Sequence, residues 1–179
     1  MSIQVVFETH SISEDNERGI ATGWNHGQLS EKGRLLAKEL GIRRCNNGIQ
    51  VIFTSDLRRA IMTVEIALGD SSIPILHDWR LRECDYGDQN SSMSTSDLHR
   101  ARHHHIDEPY TGGESWRQAI NRVGCFLDDL PLRWEGSRVL VIGHVATRWG
   151  FEHYLNGVSL ENLIAAEFIW RPGWEYRRQ

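Results

Sequence analysis

Val139-Leu140-Val141-Ile142-Gly143-His144 is a short apolar run that stops at a histidine, and a helical pattern follows it. A run rich in β-branched residues with no polar alternation is the pattern of a strand buried on both faces. Two further runs share it. Val5-Val6-Phe7 leads through Glu8 and Thr9 to His10, and Val51-Ile52-Phe53 leads into Thr54-Ser55-Asp56-Leu57-Arg58-Arg59. Long helical patterns separate the three, so they read as parallel strands of one α/β sheet with their carboxyl ends along one edge. Open sheets of this kind bind ligands along that edge. Two histidines and an arginine gathered there would supply a nucleophile, a partner and an anion clamp, the parts that phosphoryl chemistry needs.

Outward from these strands, Ser30-Glu31-Lys32-Gly33 opens a helix through Leu35, Leu36 and Leu40, with Ser30 as its N-cap. Residues 56–68 carry Leu57, Ala60, Ile61, Val64 and Ala67 at the spacing of one buried stripe, which puts Arg58 on the exposed side and leaves Arg59 for the site. Ile73-Pro74-Ile75-Leu76 reads as a short strand that Pro74 confines to an edge or an end. Residues 81–111 form a polar, irregular excursion, the expected lid or wall of the site. Glu114-Ser115 introduces a helix to about Leu130, and Ala166-Glu167-Phe168-Ile169-Trp170 is expected to close the sheet as an edge strand. With no internal repeat and no linker, residues 1–179 are expected to form a single domain. The class is α/β, a three-layer sandwich with a mostly parallel sheet flanked by helices.

Composition narrows the function. At 179 residues, 40% hydrophobic and 25% charged, the chain is long enough to bury one good core. A net charge of −4 and a pI near 6.1 argue against a general binder of nucleic acid or anionic membrane. No apolar stretch is long enough to span a bilayer and no signal core opens the chain, so the expected address is the cytoplasm. Cys45, Cys84 and Cys125 are widely spaced, without a CxxC pair, and read as free thiols. His103-His104-His105, with His99 one turn earlier, has no carboxylate or cysteine to complete a ligand set, so no metal site is expected.

A neutral imidazole can attack phosphorus if a hydrogen bond to its other nitrogen fixes the tautomer. On this reading His10 is the nucleophile, Arg59 offers a planar fork to phosphate oxygens, and His144, if protonated, adds a donor and a charge. Asn16 adds a neutral donor. Glu83 and Asp85 each offer a carboxyl group that, if desolvated, stays protonated long enough to serve as general acid. Trp24, in the loop behind the nucleophile, is placed to wall the pocket.

These residues resemble the histidine phosphatase superfamily, which includes the cofactor-dependent phosphoglycerate mutases. Thr9-His10-Ser11-Ile12-Ser13-Glu14-Asp15-Asn16 is similar to its first motif at His10, Asn16 and, conservatively, Ser13. Leu29-Ser30-Glu31-Lys32-Gly33, Thr54-Ser55-Asp56-Leu57-Arg58-Arg59-Ala60, Leu81-Arg82-Glu83-Cys84-Asp85-Tyr86-Gly87, Gly112-Gly113-Glu114-Ser115 and Gly143-His144 resemble its later segments. The resemblance implies a phosphoglycerate mutase-like fold, transient phosphorylation of His10, an acid at Glu83 in preference to Asp85, phosphate contacts from Ser13, Asn16, Arg59 and His144, and no metal or cofactor. One departure stands out: the family has arginine where this chain has Thr9. Losing one transition-state donor costs roughly 10²–10³ in rate, so a substitute cation is expected. Arg148, one helical turn beyond His144, is the first choice, and Arg18 the second.

The expected activity is metal-independent hydrolysis of a small phosphate monoester through a phosphohistidine. The alternative from another class is a phospholigand-binding relative that lost turnover with the arginine. A phosphoglycerate mutase is less favoured, because the roughly 25–30 residues after Glu83 form a modest cover for a phosphoenzyme that must exclude water. The expected partner is a small-molecule phosphate ester, with no nucleic acid and no membrane, and with room for a homodimer. Substrate choice is expected to lie in residues 88–111.

Overall fold

A computed structural model describes residues 2–178. β1 (Ile3–Thr9) is followed by a loop holding the short α1 (Glu14–Arg18), then α2 (Glu31–Arg44), β2 (Val51–Thr54), α3 (Arg58–Leu68) and β3 (Ile75–His77). Single 3₁₀ turns surround α4 (Thr95–Ala101). The chain ends with α5 (Trp116–Asp129), α6 (Pro131–Trp134), β4 (Arg138–Gly143), α7 (Val145–Asn156), α8 (Leu160–Ala165) and β5 (Trp174–Arg178).

The strands lie in the order β3-β2-β4-β1-β5, parallel except for β5, which runs antiparallel to β1. Placing β4 between β1 and β2 brings three strand ends together. Thr9 sits opposite Gly143 and Thr54 opposite Ile142, and the His10 N–H donates to the Gly143 carbonyl at 2.9 Å. Side chains alternate between the faces. Val5, Phe7, Phe53, Val139 and Val141 pack under Val123, Phe126 and Leu127 of α5 and Phe151 of α7. On the other face Val6, Ile52, Leu140 and Ile142 pack under Leu40 of α2 and Val64 and Leu68 of α3. Each fully buried Val, Leu, Ile or Phe contributes about 1.5–3 kcal/mol, so the two layers of helices are held by the same strands that carry the site.

The Ser30 cap follows the sequence reading, and the structure adds one at Ser115. Ser30 Oγ accepts from Gly33 N at 3.1 Å, and Ser115 forms a reciprocal box with Gln118 at the start of α5. Gly33 is required by contact: a β-carbon there would lie 1.9 Å from the Ile12 carbonyl oxygen. This approach sets α2 directly against the loop after His10.

Two expectations are corrected. Residues 166–170 form no strand; the edge strand is β5, where Trp174 and Tyr176 are buried and Glu175 is exposed, the alternation of a half-covered strand. Pro172, which lacks an N–H, and Gly173, at φ +89°, separate the two segments. The 81–111 excursion is also more structured than a loose loop. Tyr86 and Tyr110 lie in an apolar cluster with Trp116, Trp149, Leu160 and Ile164, so the excursion is fastened to α5, α7 and α8. No helix among the described residues is long and apolar enough to cross a membrane.

Candidate active site

His10 follows the last residue of β1. Its Nδ1 lies 2.7 Å from the Ser11 carbonyl oxygen, which can only accept, so the proton is on Nδ1 and the lone pair is on Nε2. The loop that holds this carbonyl is itself pinned: Ser11 N donates to Thr63 Oγ1 at 2.9 Å and Ser11 Oγ to the Gly33 carbonyl at 2.6 Å. Burial, with the nearby Arg59 charge, lowers the His10 pKa to about 3. The imidazole is therefore neutral, with a free nitrogen, at any physiological pH.

Arg59, in the first turn of α3, is buried and meets both histidines. Its Nε donates to His10 Nε2 at 3.3 Å, its Nη2 lies 3.4 Å from His144 Nδ1, and its remaining donors reach the carbonyls of Gly23 at 2.8 Å and Asn25 at 3.0 Å. Gly23 is at φ +56°, and a β-carbon there would fall 1.8 Å from Asn90 Oδ1. The turn that receives the guanidinium needs glycine on both counts.

His144 sits at the end of β4, its ring centroid 4.9 Å from that of His10. Burial, then the Arg59 charge, holds its pKa well below the usual histidine value. The sequence reading allowed a protonated His144; in the free site it is neutral. An arginine nitrogen only donates, so Nδ1 accepts from Arg59 and the proton resides on Nε2, which donates to Ser55 Oγ at 2.7 Å.

Glu83 reaches the same edge from the start of the excursion, just after the 3₁₀ turn Trp79–Leu81. Its carboxylate accepts from the backbone N–H groups of Cys84 at 2.9 Å, Ala146 at 3.1 Å and Val145 at 3.2 Å, the last two being the opening residues of α7. Burial raises its pKa, and these donors and Arg59 counteract only part of the rise. Its backbone is fixed as well. The Glu83 carbonyl accepts from Trp24 Nε1 and Arg122 Nη2, each at 2.7 Å.

A cleft of about 170 Å³ joins His10, Arg59, Glu83 and Asn16. Ser13 lies behind it, capping α1, with its N–H bound to Asn16 Oδ1. Trp24 supports Glu83 from outside the lining, beneath the Arg82 guanidinium at 4.4 Å. Neither proposed substitute cation joins the cleft. Arg18 is exposed, 3.8 Å from Glu14, and Arg148 lies against the Trp174 ring at 4.8 Å. Arg18 is the last residue of α1 rather than a loop residue, and Arg148 does lie one turn along α7 from His144, but its side chain turns to Trp174.

Sequence reasoning missed Arg102, Trp149 and Phe168, which line the cleft. Arg102 does lie within the 88–111 segment expected to govern substrate choice. It was not singled out because a single 3₁₀ turn of four residues is too short to show a periodic stripe that separates inward from outward residues. Among the described residues no group of His, Cys, Asp and Glu is arranged to hold a metal ion.

A three-layer α/β protein with an arginine between two neutral imidazoles, at the carboxyl edge of parallel strands, is built to receive a small anionic group. The chain belongs to the histidine phosphatase superfamily (branch 1), which matches residues 6–168. The 2,3-bisphosphoglycerate-dependent phosphoglycerate mutase of Methylobacterium sp. (strain 4-46) is 34% identical over 182 residues, spanning 93% of this chain and 86% of that one. Among solved structures, Bacillus stearothermophilus YhfR superposes with a TM-score of 0.83 at 24% identity, covering 97% of this chain and 90% of its own. The mycobacterial glucosyl-3-phosphoglycerate phosphatase Rv2419c, in complex with VO3, has a TM-score of 0.79 at 22% identity and covers 92% and 87%. At these identities the structural likeness speaks to fold alone.

Proposed function

We propose that the protein hydrolyses a small phosphate monoester through a phosphohistidine at His10, without a metal. The observation that carries this reading is the Nδ1–H bond to the Ser11 carbonyl, which leaves the Nε2 lone pair facing Arg59 inside the cleft. A phosphoryl group entering between them takes the place of Nε2 as acceptor from Arg59. Nε2 then attacks phosphorus as the ester bond breaks, and Glu83, whose pKa burial raises, enters as the acid and gives its proton to the leaving oxygen. In the second half Glu83 removes a proton from the water that attacks phospho-His10, and phosphate leaves. An arriving phosphate dianion also reverses the electrostatics that keep His144 neutral, so His144 takes up a proton and stabilises the transferring group.

Single-turnover labelling tests this directly. A monoester carrying labelled phosphate should leave acid-labile, base-stable label on the wild type and none on His10→Ala, and vanadate should compete. Activity lost to a chelator, or retained in His10→Ala, would overturn it.

The name of the Methylobacterium relative favours a second reading, in which the same phosphohistidine returns its phosphoryl group to an isomeric alcohol. With 3-phosphoglycerate primed by 2,3-bisphosphoglycerate, hydrolysis releases inorganic phosphate and mutase activity releases 2-phosphoglycerate. Binding of phosphate esters without either product would instead mark a relative silenced by the loss of arginine at Thr9.

A further inference from the structure

Arg122 lies in the middle of α5, is 7% exposed, and does not line the cleft. A guanidinium has five N–H donors, and here every one is committed. Nε and Nη2 donate to the two carboxylate oxygens of Glu114. Nη1 donates to the Arg80 and Arg82 carbonyls, each at 2.8 Å, and Nη2 also to the Glu83 carbonyl at 2.7 Å. Glu114 continues the brace beyond Glu83: its carboxylate accepts from Asp85 N at 3.1 Å, and its own N–H donates to the Asp85 carbonyl at 3.0 Å. An ion pair with Glu114 alone would use two of the five donors. The other three converge on the backbone that delivers Glu83.

The effect on the carboxyl group runs through one peptide plane. The Glu83 carbonyl and the Cys84 N–H belong to the same trans peptide, so planarity points them in opposite directions. Arg122, with Trp24 Nε1 beside it, fixes the carbonyl end, and the N–H end donates to Glu83 Oε1 at 2.9 Å. Turning this peptide withdraws that donor and moves the side chain off the Val145 and Ala146 N–H groups. We propose that Arg122 is the positioning residue of the general acid: it never touches the substrate, and by setting the peptide after Glu83 it aims the carboxyl group into the cleft beside His10. The inference rests on Glu83 acting as the acid in phosphoryl transfer.

Arg122→Gln would strand the buried Glu114 charge and endanger the fold. Arg122→Lys keeps a cation there, yet an ammonium on a flexible stem cannot hold the carboxylate and all three carbonyls. In Arg122→Lys, kcat/KM for glycerol 1-phosphate should fall by about 10- to 100-fold and that for 4-nitrophenyl phosphate by under about 3-fold, since only the poor leaving group needs the acid. Inhibition by vanadate should be unchanged. Burial raises the Glu83 pKa and the Cys84 N–H offsets part of the rise, so losing that donor should move the alkaline limb for glycerol 1-phosphate to higher pH. The other charged and titratable groups around the carboxyl stay as they are: His10, Arg59, Tyr86 and Arg102 in the cleft, His144 beside α7, and Cys84 and Asp85 in sequence. Added to Glu83→Gln, Arg122→Lys should cost nothing further on glycerol 1-phosphate, because the two act as one unit. Equal losses on both esters, an unmoved limb or additive losses overturn the proposal, since each marks a merely structural role. If Glu83→Gln itself slows both esters equally, the acid role falls and the positioning role with it. If neither ester turns over, the hydrolase reading fails by itself, and carbon-13 NMR titration of the Glu83 carboxyl decides: a higher pKa in Arg122→Lys than in wild type upholds the positioning role, and an equal one overturns it.

Discussion

Glu8 and His10 stand two residues apart at the end of β1, and their surroundings are opposite. Glu8 is 1% exposed and its carboxylate is answered in full, by Arg44 Nε at 2.8 Å and by Arg43 Nη2 at 3.3 Å. His10, at the cleft, faces an arginine whose charge has no carboxylate bound to it. Both arrangements bury a cation beside the same strand. Where the charge is closed internally it fastens α2 to β1; where it is left open it is available to the phosphate ester proposed as substrate. A buried ion pair is weak evidence of net stabilisation, yet losing one partner is costly because the other charge is stranded. The open site carries the reverse signature, since removing its cation strands no partner charge.

The comparison breaks most sharply at His10. His10→Ala should lose all turnover of small phosphate esters while keeping a cooperative melt, measured by phosphate release and calorimetry. Next in size, Arg59→Ala should lower kcat/KM by about 10²–10³ with little change in stability. Arg44→Ala should do the converse, destabilising the fold by about 3–5 kcal/mol while the folded fraction keeps near-normal kinetics. If both variants lose activity and stability together, the division between closed and open charge is wrong.

Glu83→Gln sharpens the chemistry of the open side. It should slow alkyl esters by about 10²–10⁴ and activated aryl esters far less, because a good leaving group needs little protonation. Wild-type rates on alkyl esters should decline as pH rises through the elevated Glu83 pKa, and the variant should lack that limb. Equal losses on both ester types would move the acid role to Asp85.

A smaller effect concerns acid stability. His10 titrates near 6.5 when unfolded and near 3 in the fold, so between these values the unfolded chain binds more protons and stability falls as pH falls. His144, also depressed, adds the same sign. Melting temperatures of His10→Ala should therefore gain on wild type between pH 7 and pH 4, and a constant gap would contradict the buried neutral imidazole. The smallest effect is expected at Arg148. Its guanidinium lies on Trp174, so Arg148→Ala should cost about 0.5–2 kcal/mol with kcat/KM within a few-fold of wild type. A loss of 10-fold or more in kcat/KM would return Arg148 to the phosphate site.

Much of the catalytic edge was legible in the chain. The runs ending at His10, His144 and Thr54 have no alternation and must be buried strands, and a parallel sheet aligns such ends. The stripe Leu57, Ala60, Ile61 and Val64 fixed which of two adjacent arginines turns inward, and Arg59 is buried while Arg58 is exposed. The edge strand was misplaced because Ala166-Glu167-Phe168-Ile169-Trp170 has strand-like composition. The true strand announces itself only by the alternation of Trp174, Glu175, Tyr176 and Arg177.

Local periodicity thus determined the strands, the helices and the inward face of each, because repeats of two and 3.6 residues are properties of the backbone alone. The partner of each charge was decided only in three dimensions. Nothing within the chain's local pattern distinguishes Arg44, Arg122, Arg59 and Arg102, since whether a buried guanidinium meets a carboxylate depends on residues brought near it from distant segments. Glu8 comes to Arg44 across the end of a sheet and Glu114 to Arg122 around a helix start, and among the described residues no carboxylate is brought to Arg59 or Arg102. Tertiary packing alone leaves those two charges facing one cleft.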